Sequence, residues 1–224
     1  MTAPLLSVEG VTLRYRTKDH LVTATYRVSF QLYQSDRFVV LGPSGCGKST
    51  LLHLLAGIDS PDSGFVEVDG VRWSSLDPKA RAQMRNERVG FVFQFHHLLS
   101  EFTAAENVGL PLRIGAMGRR DADRRARALL ERVGLSGRAD HRPAEMSGGE
   151  LQRAAVARAI ARAPRVLFAD EPTGNLDSDN AEQIFRLLRE THAESGGSVV
   201  LVTHDRELAR RCDKIFSITR EGIR

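Results

Sequence analysis

The run Gly42-Pro43-Ser44-Gly45-Cys46-Gly47-Lys48-Ser49-Thr50 sets a lysine and two hydroxyls directly behind a glycine-rich turn. Glycines let backbone N–H groups turn inward around phosphate oxygens, and a helix N-terminus adds favourable partial charge. In this pattern Lys48 reaches the β- and γ-phosphates of a nucleotide, and Ser49 offers an oxygen to Mg²⁺. Cys46 reads as a small filler within the glycine loop. A chance glycine turn lacks the context present here, an apolar strand over 38–41 running in and a helix leading out.

Other candidates sit at the ends of apolar runs. Asp170 and Glu171 follow Val166-Leu167-Phe168-Ala169. Beside a phosphate loop, Asp170 is suited to hold Mg²⁺ through water and Glu171 to orient or deprotonate an attacking water. The plainer reading of two adjacent acids is a solvated loop or helix cap. His204 follows a strand over 199–203 and Gln94 one over 89–93. Carboxyl ends of strands in an α/β sheet face the ligand crevice, so His204 can contact a γ-phosphate and Gln94 can ligate Mg²⁺. A lone histidine is more often structural, and an isolated glutamine says little.

Ser147-Gly148-Gly149-Glu150 reads first as a capping box, with Ser147 the N-cap and Glu150 the third residue after it. Bare glycines at a helix start also make an anion site. One loop already holds phosphates, so this second site should serve another nucleotide. Asp177 either crosses a seam between subunits or caps a helix near Asn180. Tyr15 is a candidate to stack on adenine, against ordinary sheet packing. Phe95-His96-His97-Leu98-Leu99 is too apolar for a solvated loop, so it packs inside or forms a docking surface; its two imidazoles are too isolated to argue for a metal.

These residues need a scaffold. The chain has 224 residues, 42% of them hydrophobic, which suits one large α/β domain with a helical insertion. Short strands are expected over 6–8, 11–13, 26–32 and 38–41, then a helix over 48–56, a turn over 61–64 and a strand over 65–68. Partly helical, polar sequence fills 72–88. Helices and loops dominate 96–146, and a helix over 151–162 stops before Pro164. Strands at 166–169, 198–203 and 214–219 alternate with helices at 180–193 and 207–211, which favours a mostly parallel sheet covered on both faces. Net charge is +4, mostly arginine, in a pattern that suits an exposed helix over 119–132. There is no nucleic-acid motif or aromatic stacking platform beside it. Two cysteines make no disulfide framework. No window is apolar enough for a membrane span and no secretory signal opens the chain, so cytoplasmic residence is expected.

Taken together, the motifs resemble the nucleotide-binding subunit of ABC transporters over essentially the whole length. Gly42 to Thr50 looks like the Walker A motif and Val166 to Glu171 like Walker B. Gln94 resembles the Q-loop glutamine, Ser147 to Glu150 the signature, Asp177 the D-loop aspartate and His204 the switch histidine. The signature usually begins with leucine and has glutamine after its glycines; here Met146 and Glu150 take those places. The resemblance implies an α/β fold: a P-loop NTPase core with mostly parallel sheet, an antiparallel N-terminal β part and an inserted helical subdomain near 96–160, all within one domain over 1–224. It implies ATP and Mg²⁺ as ligands, Glu171 as general base, and a head-to-tail dimer of two copies. Each ATP would lie between one copy's Lys48 and the other's Ser147-Gly148-Gly149. Membrane permease subunits would dock by the Q-loop and helical subdomain.

Gln94 to Leu99, the run from Phe102 to Val108, His141-Arg142-Pro143 and the run from Ala169 to Asp177 are similar to the ATPases of lipoprotein-releasing systems, relatives of macrolide-type exporters and the cell-division ABC ATPase. That branch implies two different permeases and peripheral attachment to the cytoplasmic face of the inner membrane, with no cargo contact and no nucleic acid. One segment departs from it. Tyr33-Gln34-Ser35-Asp36-Arg37 replaces the branch's glycine-acidic turn and, with residues 21–26, looks more like importers of sulfonate, taurine or nitrate type.

Overall fold

The structure, a computed structural model, describes residues 3–16, 21–43, 45–174, 176–195, 197–219 and 222–223. Ser44, Asn175 and the Tyr15 side chain lie outside the described residues, so the stacking expected of Tyr15 falls there too. In chain order the elements are β1 (Leu6–Arg16), β2 (Leu21–Leu32), β3 (Arg37–Leu41), α1 (Lys48–Leu55), β4 (Ser63–Val68), β5 (Val71–Arg72), α2 (Pro78–Arg88) and β6 (Val89–Val92). Then come α3 (Ala104–Ile114), α4 (Arg119–Arg132), α5 (Gly148–Ile160), β7 (Val166–Asp170), α6 (Ser178–Ser195), β8 (Ser198–Thr203), α7 (Arg206–Ala209), β9 (Lys214–Thr219) and β10 (Gly222–Ile223).

Two sheets form. The N-terminal one is antiparallel, ordered β2-β1-β4-β5. The larger runs β10-β9-β3-β8-β7-β6 and is parallel except at β10. This is the mostly parallel core with an antiparallel N-terminal part that the sequence leads one to expect. The short strands expected over 6–8 and 11–13 are one strand, β1, with register shifts where Gly10 (φ 58) interrupts the pleat.

Side chains of the large sheet alternate between two cores. Phe38, Val40, Val166, Phe168, Val200 and Val202 join the cluster that holds the leucines of α1 and the N-terminal sheet. Val39, Leu167, Ala169, Val199 and Leu201 point the other way, into the cluster with α3, α4, α5 and α6. A period of two with both faces covered produces this, and it fixes which helix lies on which face. Leu51, Leu52, Leu54 and Leu55 of α1 are all fully buried. Each contributes about 1.5–3 kcal/mol by leaving water, which holds the start of α1 still.

The atypical turn before β3 keeps its shape without glycine. Ser35 takes φ 70. Tyr33 N donates to Asp36 Oδ2 at 2.8 Å, and Lys214 Nζ reaches the same oxygen at 2.6 Å. The side-chain clamp offsets the steric cost of a left-handed serine.

Candidate active site

β3 delivers the chain to the glycine-rich loop, which swings into α1 through Gly45 (φ 76) and Gly47 (φ 96). A Cβ at these angles would be strained, so the sequence reserves the positions for glycine. Cys46 is buried and fills the loop as expected; its Sγ lies 2.6 Å from where a Cβ on Gly42 would sit, so loop and filler are fitted to each other. Lys48 is only 6% exposed. Its Nζ donates to Gly42 O at 2.8 Å and Pro43 O at 3.0 Å, and lies 3.7 Å from Glu171 Oε1.

β8, which lies beside β3, and β7, which lies beside β8, bring the other groups to the same end of the sheet. Asp170 closes β7, and burial holds its carboxyl above the usual range, opposed by a hydrogen bond from the Ser49 side chain. Its Oδ1 is buried without a hydrogen-bond partner. A carboxylate oxygen left unsatisfied beside a hydroxyl is a costly arrangement that a hard, oxygen-loving cation relieves, so the donor set fits Mg²⁺. Glu171, 15% exposed at the side chain, bends away at φ 42, with its N–H donating to Val202 O at 2.9 Å. A non-glycine residue held in this left-handed region marks stored strain. His204, just past β8, meets it: His204 Nδ1 and Glu171 Oε2 are 2.9 Å apart. The histidine remains mostly exposed, with its other ring nitrogen available to a ligand. The structure therefore joins Lys48, Ser49, Asp170, Glu171 and His204 in one cluster.

Gln94 follows β6, whose register with β7 sets Val92 beside Ala169 at the same sheet end. The loop after it is gripped from α5. Gln152, 1% exposed, accepts at Oε1 from His96 Nδ1 and donates to Phe93 O at 3.5 Å. Arg158 donates to His96 O at 2.8 Å and His97 O at 2.6 Å. Buried Asn107 fastens the other end, accepting from Leu99 N and donating to Leu99 O, Phe102 O and Thr103 O. Phe95, held between the Gln152 contacts, is 67% exposed. Among the described residues no group of three or more histidine, cysteine, aspartate or glutamate side chains is placed to hold a metal ion.

Ser147 caps α5 as the sequence suggests. Its Oγ accepts from Glu150 N at 3.3 Å, and Glu150 Oε2 accepts from Ser147 N at 2.8 Å. Asp177 caps α6, accepting from Asn180 N at 3.0 Å and Asn180 Nδ2 at 2.7 Å. Sequence reading missed the link between these turns: Asn180 Oδ1 accepts from Arg153 Nη1 at 2.9 Å and packs where a Cβ on Gly149 would lie. It also missed Gln152, Arg153 and Arg158; the one available signal was a polar or charged residue recurring on a helix otherwise rich in alanine. The Ser147 turn and the phosphate loop belong to opposite faces of the sheet. Met146 and α5 pack in one core, Cys46 and α1 in the other.

Comparison with known proteins places this geometry. The sequence model of the ABC transporter family matches residues 25–174. The chain is 47% identical over 195 residues to the lipoprotein-releasing system ATP-binding protein LolD of Legionella pneumophila strain Lens, covering 87% of this chain and 86% of that one. LolD of strain Paris is 48% identical over the same shares. Among solved structures, two of the ATP-binding cassette MJ0796 superpose with a TM-score of 0.91 at 36% identity, covering 97% of this chain and 96% of theirs. Both are dimeric, and one is a post-hydrolysis state bound to ADP and Pi.

Proposed function

Because this chain belongs to the ABC transporter family and has its P-loop ATPase fold, we propose that it hydrolyses ATP to drive a membrane complex that releases lipoproteins. The observation that carries the chemistry is the convergence of Lys48, Asp170, Glu171 and His204 at one end of the parallel sheet. ATP phosphates lie in the loop Gly42 to Thr50, with Lys48 on the β- and γ-phosphates. Ser49, Asp170 and Gln94 would hold Mg²⁺, which when bound would neutralise phosphate charge. Glu171 takes the proton of the attacking water, and its strained backbone fixes the carboxylate towards that water. His204 keeps Glu171 in place through Nδ1 and turns its other ring nitrogen to the γ-phosphate. Positioning and charge stabilisation do most of the work in phosphoryl transfer, and this cluster supplies both.

The Ser147 turn serves the nucleotide of a second copy. Its support is that α1 and α5 pack in separate cores, so one chain cannot wrap both around one triphosphate. The dimeric MJ0796 cassettes support self-association of this kind. Two copies stack head to tail, with Asp177 near the seam.

We read residues 96–160 as the helical subdomain that meets the permease subunits. Phe95, Leu99, Phe102 and Ile114 are exposed apolar side chains in and beside it. A groove of about 700 Å³ between α3 and α4 has Phe102, Leu110, Arg113, Arg119 and Arg120 on its walls. Patches of this kind on a soluble surface mark interaction sites. Among the described residues no helix is long and apolar enough to cross a membrane. The LolD relatives support a peripheral subunit on the cytoplasmic face of the inner membrane; in this reading it pairs with two different permeases and touches no cargo. Phosphate release and ATP binding measured on wild type and Glu171→Gln test the reading. Turnover should be lost with binding retained; unchanged turnover refutes the role of Glu171.

A further inference from the structure

Glu150 is out of keeping with an anion site. It lies in the first turn of α5, where the Ser147 turn is to meet a triphosphate, and a carboxylate there repels that ligand. The structure answers with a cation from a separate segment. Arg138, in the 3₁₀ turn Ser136–Arg138, donates from Nε to Glu150 Oε1 at 2.8 Å. The other oxygen of Glu150 accepts from Ser147 N, so the carboxylate is held at both ends. Arg138 also lies 3.2 Å from His141 Nε2, which fixes the far side of the guanidinium.

Local charge makes the consequence plain. A helix N-terminus carries about +0.5 charge. Glu150 alone turns that to about −0.5, and Arg138 returns it to about +0.5. Folding gains little from the pair: the Arg138 side chain is 45% exposed, and ion pairs that open to water contribute about 0–1 kcal/mol. Its effect belongs to the ligand. We propose that Arg138 is a positioning residue for ATP capture: it neutralises and pins Glu150 so that the acidic turn of one copy accepts the triphosphate held by the other. This rests on the two-copy reading of the site.

The test is a double-mutant cycle in the full chain carrying Glu171→Gln, which stops turnover. The readout is the Mg²⁺–ATP concentration giving half-maximal dimer by sedimentation, for Arg138→Ala, Arg138→Lys, Glu150→Gln and Arg138→Ala with Glu150→Gln. Removing the counter-charge leaves the turn one unit more negative towards the phosphate, which predicts a rise of about fivefold or more for Arg138→Ala. Arg138→Lys keeps the charge and stays within about twofold, and so does the double variant, whose local charge equals that of the parent. A merely structural arginine would not be rescued by Glu150→Gln. Arg138→Ala without effect, or a double variant as weak as Arg138→Ala, overturns the inference while leaving the sandwich standing. If the Glu171→Gln parent itself forms no dimer with ATP, the sandwich fails and the inference with it.

Discussion

The two glycines that open α5 should respond in opposite ways to the same added methyl. A Cβ on Gly149 falls 2.6 Å from Asn180 Oδ1 and 2.8 Å from its Cγ, whereas a Cβ on Gly148 meets nothing within 4 Å. To admit Gly149→Ala, Asn180 must move, and it holds Arg153 Nη1 at 2.9 Å and Asp177 Oδ2 at 2.7 Å. Each of these bonds involves a charged group and contributes about 1.5–3 kcal/mol. Losing one of them, set against a helix-propensity gain of about 1 kcal/mol, leaves Gly149→Ala destabilised by about 0.5–2 kcal/mol. For a chain of this size that is a fall in Tm of about 1–8 °C. Gly148→Ala should melt at or slightly above the parent temperature, yet lose ATP turnover, because its methyl points at the proposed seam. Thermal melts and phosphate release on both variants decide the matter. Gly148→Ala as unstable as Gly149→Ala would refute the packing argument, and Gly148→Ala turning over like wild type would refute the seam.

Other outcomes follow from the same contacts. The hydrogen bond from Ser147 N, and then the Arg138 guanidinium, draw the Glu150 carboxyl from its ordinary 4.5 down to about 2. Its contribution to stability is therefore complete above about pH 4.5 and is lost as pH falls towards 2, so acid titration of unfolding in Glu150→Gln should be flatter across that window. Burial holds Asp170 above its usual range, so the ionised group destabilises the chain increasingly as pH rises through its raised pKa. Asp170→Asn should accordingly melt no lower than wild type at pH 7 while losing about 100-fold or more in Mg²⁺-dependent turnover; a lower Tm would contradict this. Phe95→Asp, at a side chain 67% exposed, should fold normally but fail to co-purify with the membrane subunits, as checked by pull-down from detergent extracts.

Much of the site was legible because its motifs are local. The phosphate loop needs its glycines, its lysine and a strand-to-helix passage within a dozen or so residues. Asp170 and His204 could be placed because each ends an apolar run in an alternating sheet. Less legible were features made by distant partners. Nothing in the sequence around Asn107 says that it binds four backbone groups, and nothing near Phe93 says that Gln152 will hold it. The left-handed Glu171 and Ser35 were hidden for a different reason: only the surrounding fold compels residues with side chains into that region. Arg138 and Glu150 are 12 residues apart with a turn between them, so their pairing is a product of packing rather than of spacing.

The claim that each nucleotide is shared between two copies is tested most directly by a structure of Glu171→Gln with ATP and Mg²⁺ bound. The account expects two antiparallel chains, with each Ser147-Gly148-Gly149 turn against the γ-phosphate that the other chain's Lys48 holds. A chain that encloses ATP alone, or a pair whose Ser147 turns lie away from both nucleotides, would contradict it.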